Sequence, residues 1–364
     1  MQSSYFMKEA IRLAKRGLGK TSPNPMVGAV VVRDGKIISK GYHRRAGEEH
    51  AEVAAIKGVK GGIKSGDILY VTLEPCNHWG RTPPCTELIL RSGIKRVVVG
   101  MRDPNPNVRG GGIERLRENG VEVIVGVLEE ECERLNEAYI KYVTTGIPYV
   151  ISKTAITLDG FIATGSGDSK WISNELSRRY VQRLRYMVDA VMVGIGTVLK
   201  DNPLLNIRYR KDKEIVRVIL DTHLSIPKDC RIMNTPYPTI IFTGEDTPSS
   251  LIEEREKEHV RIYKIPILDG LLDIREVLKR LGKLSITSLL LEGGSRLLGS
   301  FFKYGLIDKC YIFLAPKLLG GSDGIPLAQG RGARYINDCI ILKGITIKRF
   351  DDDILIVGYP QYRG

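Results

Sequence analysis

The chain has 364 residues, which is more than one hydrophobic core usually holds, so two domains of ordinary size are expected. Apolar residues make up 43% and charged residues 27% of the sequence, a composition that excludes a disordered or fibrous chain. The formal net charge of +13 is spread over both halves, with no basic tail. It therefore indicates a basic surface with sites for phosphorylated small molecules rather than a nucleic-acid partner.

The sequence also predicts where the protein works. Its first residues lack the apolar stretch of a secretory signal, and no uninterrupted apolar segment is long enough to cross a bilayer. Six cysteines in a chain of this size suit a reducing compartment better than a disulfide framework. We expect a cytoplasmic protein with neither a membrane nor a nucleic-acid partner, and the sequence leaves a homo-oligomer open.

The first half alternates helix and strand patterns. A helical pattern begins near Ser4, a candidate N-cap, and ends at Gly17 and Gly19. Two strands then flank Asp34-Gly35, a dipeptide that tolerates positive φ and suits a tight hairpin. Such alternation predicts an open, largely parallel sheet with helices on both faces and with ligand sites beyond the strand ends. The further patterns are helices at 50–58, 85–93 and 113–120, strands at 67–73, 96–101 and 121–126, and an acidic helix at 129–142.

The segment 144–148, with the sequence TTGIP, is the clearest boundary signal. It divides the chain into the predicted domains 1–147 and 148–364. The second half is again predicted to be α/β, because strand patterns resume after the boundary. They lie at 149–156, 190–196, 216–221, 239–244 and 288–294.

The first half contains a candidate zinc site. His50 and Glu52 open a predicted helix, while Cys76 and Cys85 follow a strand and lead into another helix. One imidazole and two thiolates give three zinc ligands and leave the fourth tetrahedral position open for water, as catalytic zinc requires. Glu52 can face that water and carry protons during a hydrolytic deamination. The pattern H-x-E, followed by P-C and a later C, is typical of zinc deaminases.

Two other interpretations of this site stay open from the residues alone. Eight residues separate Cys76 from Cys85, whereas general nucleobase deaminases have two, so the cysteines could belong to a structural zinc module tethered to a nucleotide-binding domain. His78 would then be a fourth ligand, but we leave it out because it would displace the water. The other interpretation is a deaminase acting on bases in RNA or DNA, against which the evenly spread charge speaks.

The second half has no metal-like cluster but carries two glycine-containing turns. Residues 193–197 (VGIGT) follow a strand, and residues 291–295 (LEGGS) join a strand to a helix. Glycines there let backbone amides approach a phosphate at a helix N-terminus. Neither turn completes a dinucleotide-binding fingerprint, and isolated glycines often mark plain turns, so both interpretations stay open.

Nearly the whole chain resembles the bacterial bifunctional deaminase and reductase family of riboflavin biosynthesis. The fold that this resemblance implies is a cytidine deaminase-like three-layer αβα domain followed by a dihydrofolate reductase-like α/β domain. The matching segments are SPNPMVGAV at 22–30, GYH at 41–43, HAE at 50–52, the long segment 75–85, KTA at 153–155, LDG at 158–160, SKWI at 169–172, GTVL at 196–199, DNPLL at 201–205 and EGG at 292–294, with Arg185 and Arg208.

The resemblance implies two successive reactions on a small phosphorylated pyrimidine, with Zn²⁺ and NADPH as cofactors. The first is hydrolytic deamination of 2,5-diamino-6-ribosylamino-4(3H)-pyrimidinone 5′-phosphate. The second is reduction at C1′ of the ribosyl chain to give 5-amino-6-(5-phosphoribitylamino)uracil. In the deaminase half, Asn24, His43 and Arg81 would hold the substrate, although Asn24 between two prolines is also a natural turn residue and loop arginines are usually just solvated.

In the reductase half, the resemblance implies one set of residues for the substrate and one for NADPH. Paired arginines suit a sugar phosphate because their planar forks bind it in two places. Lys153 and Asp201 are the candidates for an acid or base. The substrate set is Ser169, Arg185, Leu205, Arg208 and Glu292, and the NADPH set is Lys153, Ala155, Trp171, Thr197, Asp201, Gly294, Ser295 and Arg296.

Overall fold

The computed structural model describes residues 2–79, 83–106, 111–210 and 212–362. The chain divides into two compact units, Met1–Gly146 and Ile147–Gly364, which we call the first and second units. Among the described residues, no helix combines the length and the apolar character that crossing a membrane requires.

The first unit is a five-stranded sheet, in the order β2-β1-β3-β4-β5, with helices on both faces. Its strands are β1 (Gly28–Arg33), β2 (Lys36–Tyr42), β3 (Ile68–Leu73), β4 (Arg96–Met101) and β5 (Glu122–Val125). Its helices are α1 (Gln2–Ala14), α2 (Ala51–Lys57), α3 (Cys85–Ser92), α4 (Gly112–Glu118), α5 (Glu129–Leu135) and α6 (Glu137–Thr145).

Strand β1 carries apolar side chains on both of its faces, and this accounts for the helical layers on the two sides of the sheet. Val30 and Val32 pack with residues of α1 and α5 on one face of the sheet. Ala29 and Val31 pack with residues of α2, α3 and α4 on the other face. Because successive strand side chains point to opposite faces, one buried strand contributes to both cores, and a three-layer αβα arrangement results.

The predicted hairpin is confirmed, whereas the sheet is less parallel than expected. β1 and β2 pair antiparallel, and Asp34 and Gly35 both adopt positive φ (48° and 72°) at the turn. β1 also runs antiparallel to β3, so the parallel part is limited to β3, β4 and β5.

Two predicted helices differ from those observed. α1 already includes Gln2, so Ser4 lies inside the helix and is not its N-cap. The predicted helix at 129–142 is broken into α5 and α6, because Asn136 departs from helical geometry (φ −117°, ψ 23°). The buried Asn136 side chain accepts a hydrogen bond from Met26 N at 2.8 Å and donates one to Met26 O at 3.1 Å. This long-range contact outweighs the local helical pattern.

The second unit has a nine-stranded sheet in the order β11-β10-β9-β8-β14-β6-β15-β18-β17, parallel from β11 through β15 and antiparallel at β18 and β17. Its helices are α7 (Glu175–Met187), α8 (Ile195–Asp201), α9 (Ser249–Arg255), α10 (Ile274–Lys283) and α11 (Ser295–Lys303). Its strands are β6 (Tyr149–Ile156), β7 (Phe161–Ala163), β8 (Ala190–Gly194), β9 (Val216–Leu220), β10 (Thr239–Gly244), β11 (Val260–Ile265), β12 (Ile267–Leu268), β13 (Leu271–Leu272), β14 (Ser288–Leu291), β15 (Lys309–Leu314), β16 (Ile325–Pro326), β17 (Ile341–Phe350) and β18 (Asp353–Gln361).

Candidate active sites

Three side chains of the first unit converge as a metal site would require. His50 Nδ1 lies 3.2 Å from Cys85 Sγ and 3.6 Å from Cys76 Sγ, and the three candidate ligand atoms all lie within 4.8 Å of one another. Tetrahedral zinc with ordinary Zn–N and Zn–S bonds separates such atoms by about 3.6 Å. The three residues therefore fit a zinc ion, both in ligand type and in spacing.

Local structure brings these ligands together. His50 occupies the N-cap position of α2 in extended geometry (φ −70°, ψ 160°), while Cys85 is the first residue of α3. Cys76 lies in the loop after β3, and its sulfur accepts the backbone N–H of Cys85 at 3.3 Å. Two helix N-termini thus meet one loop, and their positive dipole ends favour thiolates there.

Glu52 lies beside this cluster, in the first turn of α2, with 3% of its surface exposed. Burial and the neighbouring Cys76 raise the pKa of the Glu52 carboxyl to about 7. A buried carboxyl next to an open metal position is the arrangement expected of a group that exchanges protons with a substrate.

A cavity of about 320 Å³ adjoins the cluster and contains two of the predicted substrate residues, Asn24 and His43. His43 Nδ1 lies 3.1 Å from the carbonyl oxygen of Glu49, which can only accept, so Nδ1 carries the proton. Burial lowers the pKa of His43, and Nε2 of the neutral ring accepts from Asn24 Nδ2 at 3.3 Å. An amide oxygen such as that of Asn24 can accept a hydrogen bond from a ligand N–H.

The segment between β3 and α3, which contains Cys76 and which we call the metal loop, carries two further polar residues in the sequence, Arg81 and His78. Arg81, the predicted phosphate contact, lies outside the described residues. His78 lines the cavity but is exposed, and it is not part of the cluster of metal-ligating groups found among the described residues.

Sequence reasoning missed several polar residues of this cavity. Glu74, Asp103 and Tyr139 all line it, and the Tyr139 hydroxyl donates to Asp103 Oδ1 at 2.9 Å. Glu74 directly precedes Pro75, at the end of a strand pattern. The signal that could have identified it is a carboxylate directly after a buried apolar strand, where an unsatisfied charge is costly.

In the second unit, Arg185 and Glu292 form a bidentate ion pair. Arg185 Nε lies 2.6 Å from Glu292 Oε1, Nη2 lies 3.0 Å from Oε2, and Nη1 donates to the backbone oxygen of Asn206 at 3.1 Å. The guanidinium is therefore used by protein groups. Burial favours the neutral acid, but Arg185 outweighs it, and the pKa of Glu292 is held below its usual value.

Lys153 joins this pair through the sheet register. Leu291 on β14 pairs with Ser152 on β6, so Glu292 and Lys153 follow at the same level of two adjacent parallel strands. Burial lowers the pKa of Lys153, and the neighbouring Glu292 opposes that effect. Arg185 on α7, Glu292 directly after β14 and Lys153 within β6 thus form a group of two cations and one anion. Glu292 lies at the carboxyl end of its strand, where α/β proteins bind ligands.

Both glycine-containing turns lead from a strand into a helix. Gly194 precedes α8, which carries Thr197, and Gly294 precedes α11. A Cβ atom added to Gly194, Gly196 or Gly294 would meet nothing within 4 Å, so backbone amides are open to close approach. This open space fits the phosphate groups of a dinucleotide.

The other predicted contacts differ in how freely they could reach a ligand. Trp171 is 60% exposed and lies under the Arg178 guanidinium, 4.6 Å from ring centroid to Cζ. Asp201 pairs with Lys170 at 3.0 Å, and the Ser295 hydroxyl donates to Pro326 O at 2.6 Å. Leu205 is buried with φ +53°, Ala155 and Ser169 are half-buried, and Arg208 and Arg296 are exposed.

The fold and these two sites define a zinc-binding deaminase joined to a reductase. Residues 1–101 match the family described as the cytidine and deoxycytidylate deaminase zinc-binding region, and residues 148–356 match the RibD C-terminal domain. The chain belongs to the RibD family of riboflavin biosynthesis proteins. The predicted cytidine deaminase-like and dihydrofolate reductase-like folds are confirmed, and the protein is a bifunctional deaminase and reductase with zinc and NADPH as cofactors.

The similarity extends over complete relatives. The chain is 45% identical to the riboflavin biosynthesis protein RibD of Aquifex aeolicus, covering 98% of each chain, and 44% identical to that of Actinobacillus pleuropneumoniae, covering 96% and 93%. The crystal structure of the diaminohydroxyphosphoribosylaminopyrimidine deaminase/5-amino-6-(5-phosphoribosylamino)uracil reductase of Thermotoga maritima matches with a TM-score of 0.87 at 41% identity, covering 99% of each chain. RibD of Acinetobacter baumannii matches with a TM-score of 0.88 at 36% identity, again covering 99% of each chain.

Proposed function

We propose that the two units act in succession on one phosphorylated pyrimidine. The first removes an amino group from 2,5-diamino-6-ribosylamino-4(3H)-pyrimidinone 5′-phosphate, consuming water and releasing ammonia. The second uses NADPH and one proton to reduce the ribosyl chain, giving 5-amino-6-(5-phosphoribitylamino)uracil. The observation that carries the proposal is the three-ligand cluster beside a buried carboxylate, in a chain whose relatives match it over nearly their full length.

In the deaminase unit, His50, Cys76 and Cys85 would hold the zinc ion, which supplies a water molecule made acidic enough to attack at neutral pH. Glu52 takes a proton from the attacking water, passes it to a ring nitrogen and assists the departure of ammonia. Asn24, ordered by its bond to His43, would recognise a donor group on the ring or sugar. Arg81 would pair with the substrate phosphate.

In the reductase unit, bound NADPH would supply the hydride for C1′ of the ribosyl chain. Opening the ribose ring breaks the C1′–O4′ bond, so O4′ must receive a proton. Lys153 is the candidate donor of that proton, because it lies on β6 beside Glu292. Glu292, held by Arg185, orients the sugar, and the exposed Arg208 remains for the phosphate. Ser169 and Leu205 would complete the substrate contacts. The proposed NADPH contacts are Lys153, Ala155, Trp171, Thr197, Asp201, Gly294, Ser295 and Arg296.

The decisive experiment supplies the diaminopyrimidine ribosylphosphate with NADPH and follows ammonia release and NADPH oxidation separately. Glu52→Gln should keep zinc and fold but lose ammonia release by a factor of at least about 100, since a proton carrier contributes that much. The same variant should still oxidise NADPH when given the deaminated intermediate.

A matched control is Glu87→Gln on α3, because Glu87 forms a partly exposed ion pair with Arg115 at 3.1 Å. It should retain both activities. Ammonia release by Glu52→Gln at the wild-type rate would remove Glu52 from the mechanism. No turnover of either kind by zinc-loaded wild type would refute the substrate assignment.

A further inference from the structure

Glu74 is a buried carboxylate at the junction of three segments of the first unit. It lies between β3 and the candidate ligand Cys76, with 5% of its surface exposed. Its Oε1 accepts the backbone N–H groups of Gly112 at 3.0 Å and Ile113 at 3.1 Å, at the start of α4. Its Oε2 accepts the backbone N–H of Asp103 at 3.2 Å.

The gap that Glu74 fills is narrow on the α4 side. A Cβ atom added to Gly112 would lie 2.0 Å from the carbonyl oxygen of Pro75 and 3.3 Å from Glu74 Cγ. Only glycine allows α4 to approach the metal loop this closely. Backbone contact between Gly112 and Pro75 therefore sets the distance between α4 and the metal loop. Because the Glu74 carboxylate also accepts the backbone N–H of Asp103, it links these two segments to the loop that carries Asp103.

The loop on the other side of Glu74 supplies a polar wall of the deaminase cavity. Asp103 and Asn105 line that cavity together with His50 and Cys76. The Asp103 carboxylate is oriented by the Asn105 backbone N–H at 3.0 Å and the Tyr139 hydroxyl at 2.9 Å. The main chain of Asp103, by contrast, is held by Glu74.

We infer that Glu74 is a positioning residue of the deaminase site, which fixes the loop bearing Asp103 and Asn105 relative to the loop bearing Cys76. The inference rests on the proposed deaminase function. Glu74 would act on substrate binding: if the polar wall shifts relative to the metal ligands, its contacts to the pyrimidine weaken even though the metal is still held.

The variant Glu74→Gln separates this role from a general structural one. The amide can keep its oxygen towards the two α4 donors, which leaves its NH₂ group facing the N–H of Asp103, donor against donor. We expect KM for the diaminopyrimidine to rise about tenfold or more, since one buried bond is lost and a donor is left unsatisfied. Zinc per chain and reductase turnover of the deaminated intermediate should equal wild type.

Amide hydrogen exchange gives a readout that does not depend on activity. In Glu74→Gln, the segment around Asp103 should exchange faster, while Gly112 and Ile113 stay protected. The control is Glu114→Gln, which removes a carboxylate from the first turn of the same helix. Glu114 forms an exposed ion pair with Arg102 at 3.0 Å, so KM and exchange should remain those of wild type.

Wild-type KM together with wild-type exchange at Asp103 in Glu74→Gln would overturn the inference. If that variant fails to fold, Glu74→Asp carries the test, because it keeps the charge and both oxygens but shortens the reach. Parallel loss of deaminase and reductase turnover in Glu74→Asp would show a merely structural role and would also overturn it. If wild type itself releases no ammonia, the proposed function fails, while the exchange comparison still decides what Glu74 does.

Discussion

Arg185 and Glu292, 107 residues apart in the chain, form a parallel two-bond ion pair with N···O distances of 2.6 and 3.0 Å. Their side chains are only 10% and 11% exposed, so the pair is shielded from competing water. Such a pair needs the planar fork of arginine, since a lysine ammonium is a single point charge. The geometry therefore indicates that Arg185 orients Glu292.

Arg185→Lys therefore tests whether the fork matters in the reductase. The charge is kept, but one of the two bonds to Glu292 and the bond to Asn206 O are lost, so we expect kcat/KM for NADPH-dependent reduction to fall about 10- to 100-fold. Ammonia release should be unchanged. The matched control is Arg179→Lys on the same helix. Arg179 forms a solvent-exposed ion pair with Glu175, at 72% and 67% side-chain exposure, so the same substitution there should leave reduction unchanged. Reduction at the wild-type rate by Arg185→Lys would contradict the assigned role.

Metal removal should separate the two activities. Cys85→Ser replaces a thiolate ligand by a hydroxyl, which binds zinc poorly, so zinc content and ammonia release should both collapse. NADPH oxidation with the deaminated intermediate should persist, because the reductase residues lie in the second unit. Cys339→Ser is the control, since Cys339 is only partly buried and does not belong to the cluster. Retention of stoichiometric zinc by Cys85→Ser would exclude Cys85 as a ligand.

The sequence was most informative where an unusual combination of residue types indicates one kind of chemistry. His50, Cys76 and Cys85 can be grouped from the sequence alone, because few other roles combine imidazole and thiolates beside a glutamate. Local turn chemistry at Asp34-Gly35 is equally visible.

What could not be predicted depends on partners far along the chain. The helix pattern at 129–142 gives no sign that Asn136 bonds to Met26, 110 residues away. Likewise, Glu74 gains its meaning from Asp103 and Gly112, which follow it by 29 and 38 residues. Periodicity reports local preference, which contacts between residues distant in the chain can override.

Buried Arg217 should be a stability determinant of the second unit that is independent of catalysis. It is fully buried, and its guanidinium donates to Thr239 Oγ1 at 2.6 Å, to Ile232 O at 2.8 Å and to Tyr237 O at 2.9 Å. Arg217→Met would leave these acceptors unsatisfied, and we expect a loss of about 3–5 kcal/mol in the free energy of unfolding of this unit. Denaturant unfolding followed by reductase activity measures it. The exposed Arg261→Met is the control, and an equal midpoint for both variants would contradict the prediction.

Asp67 should give the first unit a stability that depends on pH. Its buried carboxylate accepts from Arg33 Nε and Nη2, both at 2.7 Å, and these hydrogen bonds hold the pKa of Asp67 below its usual value. A carboxyl whose pKa is lowered by folding stabilises the folded state above its usual pKa, and that stabilisation is lost as the pH falls through the folded-state pKa.

Asp67→Asn should therefore cost about 2 kcal/mol in the free energy of unfolding at pH 7, and the difference from wild type should shrink below about pH 4 as wild type loses the charge. Unfolding of both chains across this pH range, followed by a probe confined to the first unit, measures the difference. Glu122→Gln removes an exposed partner of Arg96 and should change stability by less than about 0.5 kcal/mol at any pH. If the loss of unfolding free energy in Asp67→Asn stays constant down to about pH 3, the prediction is wrong. The negative charge of Asp67 would then contribute nothing beyond the hydrogen bonds that its carboxyl group makes to Arg33.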